Sequence, residues 1–561
     1  MCQLRFVFLF WAAGAFAAEG GDALGSARRL MDSGAPQLAL NRVLQSQPRD
    51  VAAPDWAEWE TLRLKLLLRT GRHEEALQRA AALPAGMPAA LLRESLNLAG
   101  RAAVAAGRGE LARQYAARVL WQLRPPAGEE RDVRLRVIES LAADKKGDDA
   151  FRSMLRFQQD YRPIDRNTAA FFVETLLDLG MVTEAVNWLG SLDETSAAKQ
   201  LLRLKTGLLS ADAVIAQART RLVKRKTRGH WRVIEQAALQ KQDLELQIEA
   251  LENLLHLGDA ANPQQLAVQS RALWQAYLDV AHEAGNRNHL LAGDDVGWTD
   301  FASRRLGGNA PSARTFFAYL AHQGQTREAR HNAQLQLVFS LEAHGLELAA
   351  LRLFQYAHPA PEAIDGQTRY FLGVIAESHD LPAIALHFWQ DLSAPPNVEI
   401  NEWRLRLAAV TLRAGITDRN AAVLKDLISV VKTLPASLLK RCVALAQDVL
   451  DAGRPDLARE LFEALLPVVD VTLGRTVFFG LGHVHESSGQ PHTAADYYLR
   501  AALPAGRRAP DALTLRARLF AALNLARAGY RDDARAQFEW LIKNSRDAAQ
   551  IELARQELKK L

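Results

Sequence analysis

The chain has 561 residues, of which 49% are hydrophobic and 24% charged, a balance that suits a folded chain and excludes a disordered polyelectrolyte. A formal net charge of +5 is nearly neutral for this length and does not point to nucleic acid as a partner. Only Cys2 and Cys442 are present, which excludes a disulfide framework.

At the N-terminus, "MCQLRFVFLFWAAGAFAAEG" carries one basic residue, Arg5, then an apolar run from Phe6 to Phe16 and the small-residue arrangement Ala15-Phe16-Ala17. This pattern predicts a secretory signal peptide over residues 1–17, cleaved near Ala17 or Ala18, and an exported, periplasmic product. The run is too short to span a bilayer, which takes about 18–20 apolar residues, and no later segment of the chain is apolar enough to do so. Removing residues 1–17 takes away Arg5 and no acid, so the net charge becomes 5 − 1 = +4. Cys2 precedes the apolar run and does not suit a lipid-modified cysteine; Cys442 then remains as a buried thiol.

From residue 22 onward apolar residues recur at helical spacing, as in "WAEWETLRLKLLL" and "LFAALNLARAG", while alternating runs are scarce, and the class is all-α. A glycine followed five residues later by alanine recurs at Gly34/Ala39, Gly71/Ala76, Gly107/Ala112, Gly180/Ala185, Gly345/Ala350, Gly453/Ala458, Gly489/Ala494 and Gly529/Ala534. With Ala150, Ala385 and Ala421 added by looser matching, the early units are 37, 36, 38 and 35 residues apart (39→76→112→150→185). The late ones are 35, 36, 37, 36 and 40 apart (350→385→421→458→494→534). Such a period predicts a superhelical solenoid of antiparallel helical hairpins.

The unit at Phe478–Ala501 carries Phe478, Leu481, Gly482 and His485 on a first helix and Ala494, Tyr498 and Ala501 on a second. In this pattern it resembles the tetratricopeptide repeat. The resemblance covers residues 345–541 most fully and 26–192 more loosely, with the terminal proline often missing and Gln247 standing where an alanine belongs. The expected blocks are therefore 18–194 and 331–561, both tetratricopeptide-like, with an irregular helical segment at 195–330. Within that segment, "GNRNHLLAGDDVGWTDFASRRLGGNAPSAR" reads as one long loop.

His483, His485 and His492 are close in sequence, but residues two apart on a helix are turned by about 200°, so packing rather than metal binding is the reading. The basic run "RTRLVKRKTRGH" at Arg219–His230 reads as a solvated helix end, with an acidic or anionic partner as the alternative. Phosphate-loop, H-E-x-x-H and G-x-S-x-G patterns are missing, and Asp294-Asp295 reads as loop solvation. Glu-Ser pairs at Glu94, Glu139, Glu377 and Glu486 fall in helical repeats and lack the sequence context of a lytic transglycosylase. No cofactor is expected.

The resemblance implies a concave face lined by the first helix of each hairpin, at positions that fall within about an 80° arc. Those positions give Gln367, Tyr370 and Glu377; Lys440 and Gln447; Phe479, His483 and Glu486; and Arg516 as partner-binding candidates. The functional expectation is a non-catalytic scaffold for an envelope protein, peptide or polysaccharide, in exopolysaccharide export or envelope assembly. The alternative is an enzyme acting on wall glycan, with its site in residues 195–330.

Overall fold

The computed structural model describes residues 23–561, except 33–35, 85, 259–261, 309, 358–363, 396–397, 416 and 504–509. The signal-peptide segment and Gly34 lie outside the described residues. Among those described, the regular elements are helices, arranged as successive antiparallel hairpins, so the fold is an all-α helical-repeat solenoid. The described residues divide into two compact units, one within 47–395 and the other formed by 23–46 together with 398–561.

The turn chemistry explains why the period is so regular. Gly71, Gly107, Gly180, Gly345, Gly453, Gly489 and Gly529 all have φ between +70° and +88°, a left-handed conformation in which a β-carbon is strained. At the first of these, Gly71 N–H donates to Leu68 O and Arg72 N–H donates back to Leu67 O, which closes the end of the Trp56–Arg69 helix. Where the sequence lacks glycine, Lys145, Gln242 and Asp380 take φ of +55° to +57° at the corresponding place. The turn at Gln242 shows that Arg228–Lys241 and Leu244–His256 form a hairpin in register, although Gln247 replaces the small residue.

The rest of the middle is irregular in a specific way. A 25-residue helix, Pro263–Arg287, is followed by a short helix, Asp295–Asp300, that runs on through Phe301–Arg305. The stretch read as one long loop therefore contains a folded turn, because Trp298 supplies the burial that its glycines do not. Its indole is 3% exposed, stacks on Tyr319 with ring centroids 3.9 Å apart and donates to Leu291 O at 2.9 Å. Gly285 makes room for it: a β-carbon there would come within 2.5 Å of the ring. Asp294 and Asp295 are not merely solvated. Asp294 accepts from Gly297 N–H at 2.9 Å, and Asp295 accepts from the N–H groups of Gln325 and Thr326 at 2.9 and 2.8 Å.

Behind this turn lies a buried polar network. Arg314 Nη1 donates to Glu252 at 2.5 Å, Tyr277 donates to the same carboxylate at 2.6 Å, and Arg314 also reaches the hydroxyl and carbonyl of Ser340. Glu252 and Arg314 are 3% and 1% exposed, so the pair is held by geometry against a large desolvation cost. Burial first pushes the Glu252 carboxyl up, with Arg314 opposing. A carboxylate enclosed in this way has no face left for a substrate, and its role is to fix four helices.

Successive repeats are also tied by charge. Asp165 caps the Arg166–Asp178 helix and pairs with Arg131, 34 residues earlier. Asp511 caps Ala512–Arg527 and takes two bonds, at 2.6 and 2.9 Å, from Arg475, 36 residues earlier. His331 stands 3.1 Å from Asp365, the cap of Gly366–Ser378. For Asp165 and Asp511 the cation comes from the preceding first helix, and in all three cases the carboxylate serves both its own helix end and the neighbouring repeat.

Candidate functional site

In the unit that contains residues 398–561, the Val471–Ser487 helix is drawn tightly between its neighbours. A β-carbon on Gly480 would meet the Phe462 ring at 2.4 Å, and one on Gly482 would meet the Tyr498 ring at 2.6 Å. Both glycines therefore admit a ring to the helix backbone, and Phe462 and Tyr498 are fully buried as a result.

Tyr498 anchors an aromatic ledge shared with the Ala512–Arg527 helix. The Phe479 ring lies edge-on to His483 at 4.9 Å, Tyr498 at 5.3 Å and Phe520 at 5.7 Å. His483 in turn meets Phe520 at 5.0 Å and Tyr498 at 5.5 Å. Above Phe479 the exposed Arg516 guanidinium sits 5.3 Å from the ring centroid, within cation–π range. At the end of the ledge Glu486 accepts from Tyr498 Oη at 2.7 Å and from Arg527 Nη1 at 2.6 Å, with His483 Nδ1 at 3.9 Å.

The electrostatics follow from this crowding. Burial lowers the His483 pKa and Arg516 adds to the drop, outweighing Glu486, so the imidazole is neutral at pH 7. Burial, then Glu486, drives the Tyr498 hydroxyl far above its ordinary value, so it remains a donor. Glu486 is already bonded by two partners, whereas Arg516 offers an open guanidinium beside ring edges. Such a surface can take an apolar or aromatic group next to an anionic or carbonyl oxygen.

Four expected residues, Phe479, His483, Glu486 and Arg516, are thus brought together on adjoining helices. Lys440 and Gln447 lie one hairpin earlier on Ala436–Asp451, where Lys440 is exposed and Gln447 donates to Asp451 at 2.9 Å. On that helix Asp448 keeps solvent contact, but crowding and then Asp451 push its carboxyl up to about 6, with Arg413 opposing. Gln367, Tyr370 and Glu377 share the Gly366–Ser378 helix of the other unit. There Tyr370 is 8% exposed and stacks near-parallel to Trp389, whose indole donates to Tyr370 O at 3.1 Å. The Tyr370 ring is therefore a packing ring. Phe479 is equally buried, and what it presents is an edge.

The neighbouring histidines go elsewhere: His485 stacks on Tyr497 at 5.1 Å, and His492 lies beside Tyr530. Among the described residues no cluster of three or more His, Cys, Asp or Glu is placed to hold a metal ion. Cys442 is buried, and its thiol is pushed up to about 12 by desolvation. Sequence reasoning missed Phe520 and Arg527, which fall outside the counted positions. It also missed that the Pro36–Ser46 helix, whose Ala39 was counted as a repeat position, lies against the turns at Gly415 and Gly453 through Asn41 and Gln45, with Gln45 Nε2 donating to Ala452 O at 3.0 Å.

No family model matches the sequence, and no curated protein matches it. Among solved structures the chain is similar to yeast Tom70, at 11% identity and a TM-score of 0.25, covering 96% of this chain and 95% of that one. It is similar to Cut9 in the APC/C Cut9–Hcn1 hetero-tetramer structure, at 12% identity and 0.24, covering 95% of each chain. The TPR domain of P58(IPK) matches at 12% identity and 0.19, covering 84% of this chain and 98% of that one. At TM-scores this low the chains do not superpose as wholes, and the ledge is argued from its own geometry.

Proposed function

We propose that the chain is a non-catalytic adaptor that holds an extended peptide segment of a protein partner across the Phe479–His483–Arg516 ledge. The observation that carries this reading is the convergence of ring edges, a neutral imidazole and an open guanidinium on two adjoining first helices. Rings with few rotatable bonds and an arginine are the side chains that most often carry binding energy at protein interfaces. Lys440 and Gln447 extend the surface by one repeat. Its place is the periplasm, in envelope assembly or exopolysaccharide export, a reading supported by the leader-like sequence of residues 1–17.

The test is selection of peptides from a random display library on the intact protein, repeated with His483→Ala/Arg516→Glu. The adaptor reading expects a peptide family that binds the wild type and loses at least tenfold in affinity on the variant, with circular dichroism unchanged. Peptides that bind both proteins equally remove the ledge from the account.

A further inference from the structure

The ledge leaves unused the basic run at Arg219–Arg228, in the other unit. The Ala211–Lys224 helix ends there, and the chain crosses to Arg228–Lys241 in extended form, with φ −155°, ψ 120° at Arg225 and φ −129°, ψ 140° at Thr227. Successive side chains on an extended segment point to opposite sides. Arg225 and Lys226 follow the helix end in extended form, and together with Lys224 they are exposed, beside Val223, which is 89% exposed.

Three carboxylates of the adjoining helices are matched to other cations. Glu249 pairs with Arg219 at 2.7 Å, Asp212 with Lys241 at 2.6 Å, and Asp178 with Arg232. No side-chain hydrogen bond or ion pair is formed by Arg221, Lys224, Arg225 or Lys226 among the described residues. Their field reaches adjoining helix ends. Burial lowers the His256 pKa, Glu347 opposes, and His379, Arg352 and Lys226 add to the drop; His230 is lowered by burial and by Arg221 against its contact to Thr195.

We propose that the Val223–Lys226 tip is a docking edge for an anionic lipid surface. Three exposed cations in sequence match a plane of negative charge, which engages them without needing a partner of defined register. An exposed aliphatic side chain among the cations suits shallow insertion at the headgroup boundary. The aromatic rings of Phe479 and Phe520 lie in the other unit, not at this tip.

The experiment is co-sedimentation of the full chain with phosphatidylcholine vesicles, with and without phosphatidylserine. Each cation near an anionic surface strengthens partition about fivefold, so Lys224→Ala/Arg225→Ala/Lys226→Ala should lower it about 100-fold on anionic vesicles. Arg535→Ala/Lys543→Ala/Arg546→Ala removes the same charge from exposed positions elsewhere and should keep wild-type partition. The apolar residues 6–16 are common to all variants, and any binding they cause appears equally on phosphatidylcholine alone. Equal loss in both triple variants, or no loss in the first, overturns the proposal. So does tight binding to a soluble poly-glutamate peptide with no vesicle binding, which assigns the tip to an acidic polypeptide. His483→Ala/Arg516→Glu should leave vesicle binding unchanged.

Discussion

Replacing Gly482 with alanine sets two effects of opposite sign against each other. In a helix interior the change alone stabilises by about 0.8–1 kcal/mol, because glycine loses more backbone freedom on folding. Here the new methyl would lie 2.6 Å from Tyr498 Cδ1 and Cε1, whereas carbon atoms rest at about 3.5–4.0 Å. The ring must move by about 1 Å to relieve this, and it has little freedom, since its hydroxyl is bonded to Glu486 at 2.7 Å and it packs against Phe479, His483 and Phe520. Overpacking of this kind costs about 1–3 kcal/mol, so the expected net effect is a loss of up to about 2 kcal/mol, once the helix gain is subtracted. In a Tyr498→Leu background the ring is gone, and Gly482→Ala should instead stabilise by about 0.5–1 kcal/mol. Urea unfolding of the four proteins, followed by far-ultraviolet circular dichroism, gives the coupling energy. The same sign in both backgrounds would refute the claim that Gly482 exists to admit Tyr498.

Arg314→Met leaves the Glu252 carboxylate buried without its cation and should cost about 3–5 kcal/mol, while the double variant with Glu252→Gln should recover much of the loss; equal losses in both would mean that the pair is not the cause. The Asp448 carboxyl, at about 6 in the folded chain against about 3.9 when unfolded, binds protons preferentially in the native state between those values. Native stability thus falls as pH rises through that window, and Asp448→Asn should open a stabilising gap of at most about 1 kcal/mol between pH 4 and pH 7, screened as Asp448 is by solvent; midpoints with the same gap at both pH values would contradict the assignment. Limited proteolysis should cut first at residues 288–294, where Leu291 is 72% exposed, and spare 295–305, where Trp298 is enclosed; first cutting after Arg304 or Arg305 would show the turn to be open.

Much of the repeat architecture was legible in the sequence because turn geometry leaves a residue signature. Seven of the glycines that mark the period take positive φ at the hairpin turn, and Lys145 and Asp380 take it where the match was loose. The four ledge residues were named from the first-helix positions that the tetratricopeptide resemblance implies, combined with helical periodicity. What could not be read was carried by distance in sequence or by a compensating residue. Asp165 and Asp511 look like any exposed acids until an arginine one repeat earlier is seen to reach them. Tyr370 was expected to face a groove, but Gly373 lets the Trp389 indole approach its backbone, where a β-carbon would be 2.0 Å from Nε1, and the Tyr370 ring stacks over that indole. The short helix at Asp295 was hidden because a single tryptophan, rather than a periodic apolar face, holds it.

The central claim is that the ledge between Val471–Ser487 and Ala512–Arg527 is where the partner is held. Hydrogen–deuterium exchange of the intact protein, with and without a peptide selected by it, tests this most directly. The account predicts added protection confined to residues 476–486 and 512–527, lost with His483→Ala/Arg516→Glu. Protection that appears elsewhere, or that persists in the variant, would contradict it.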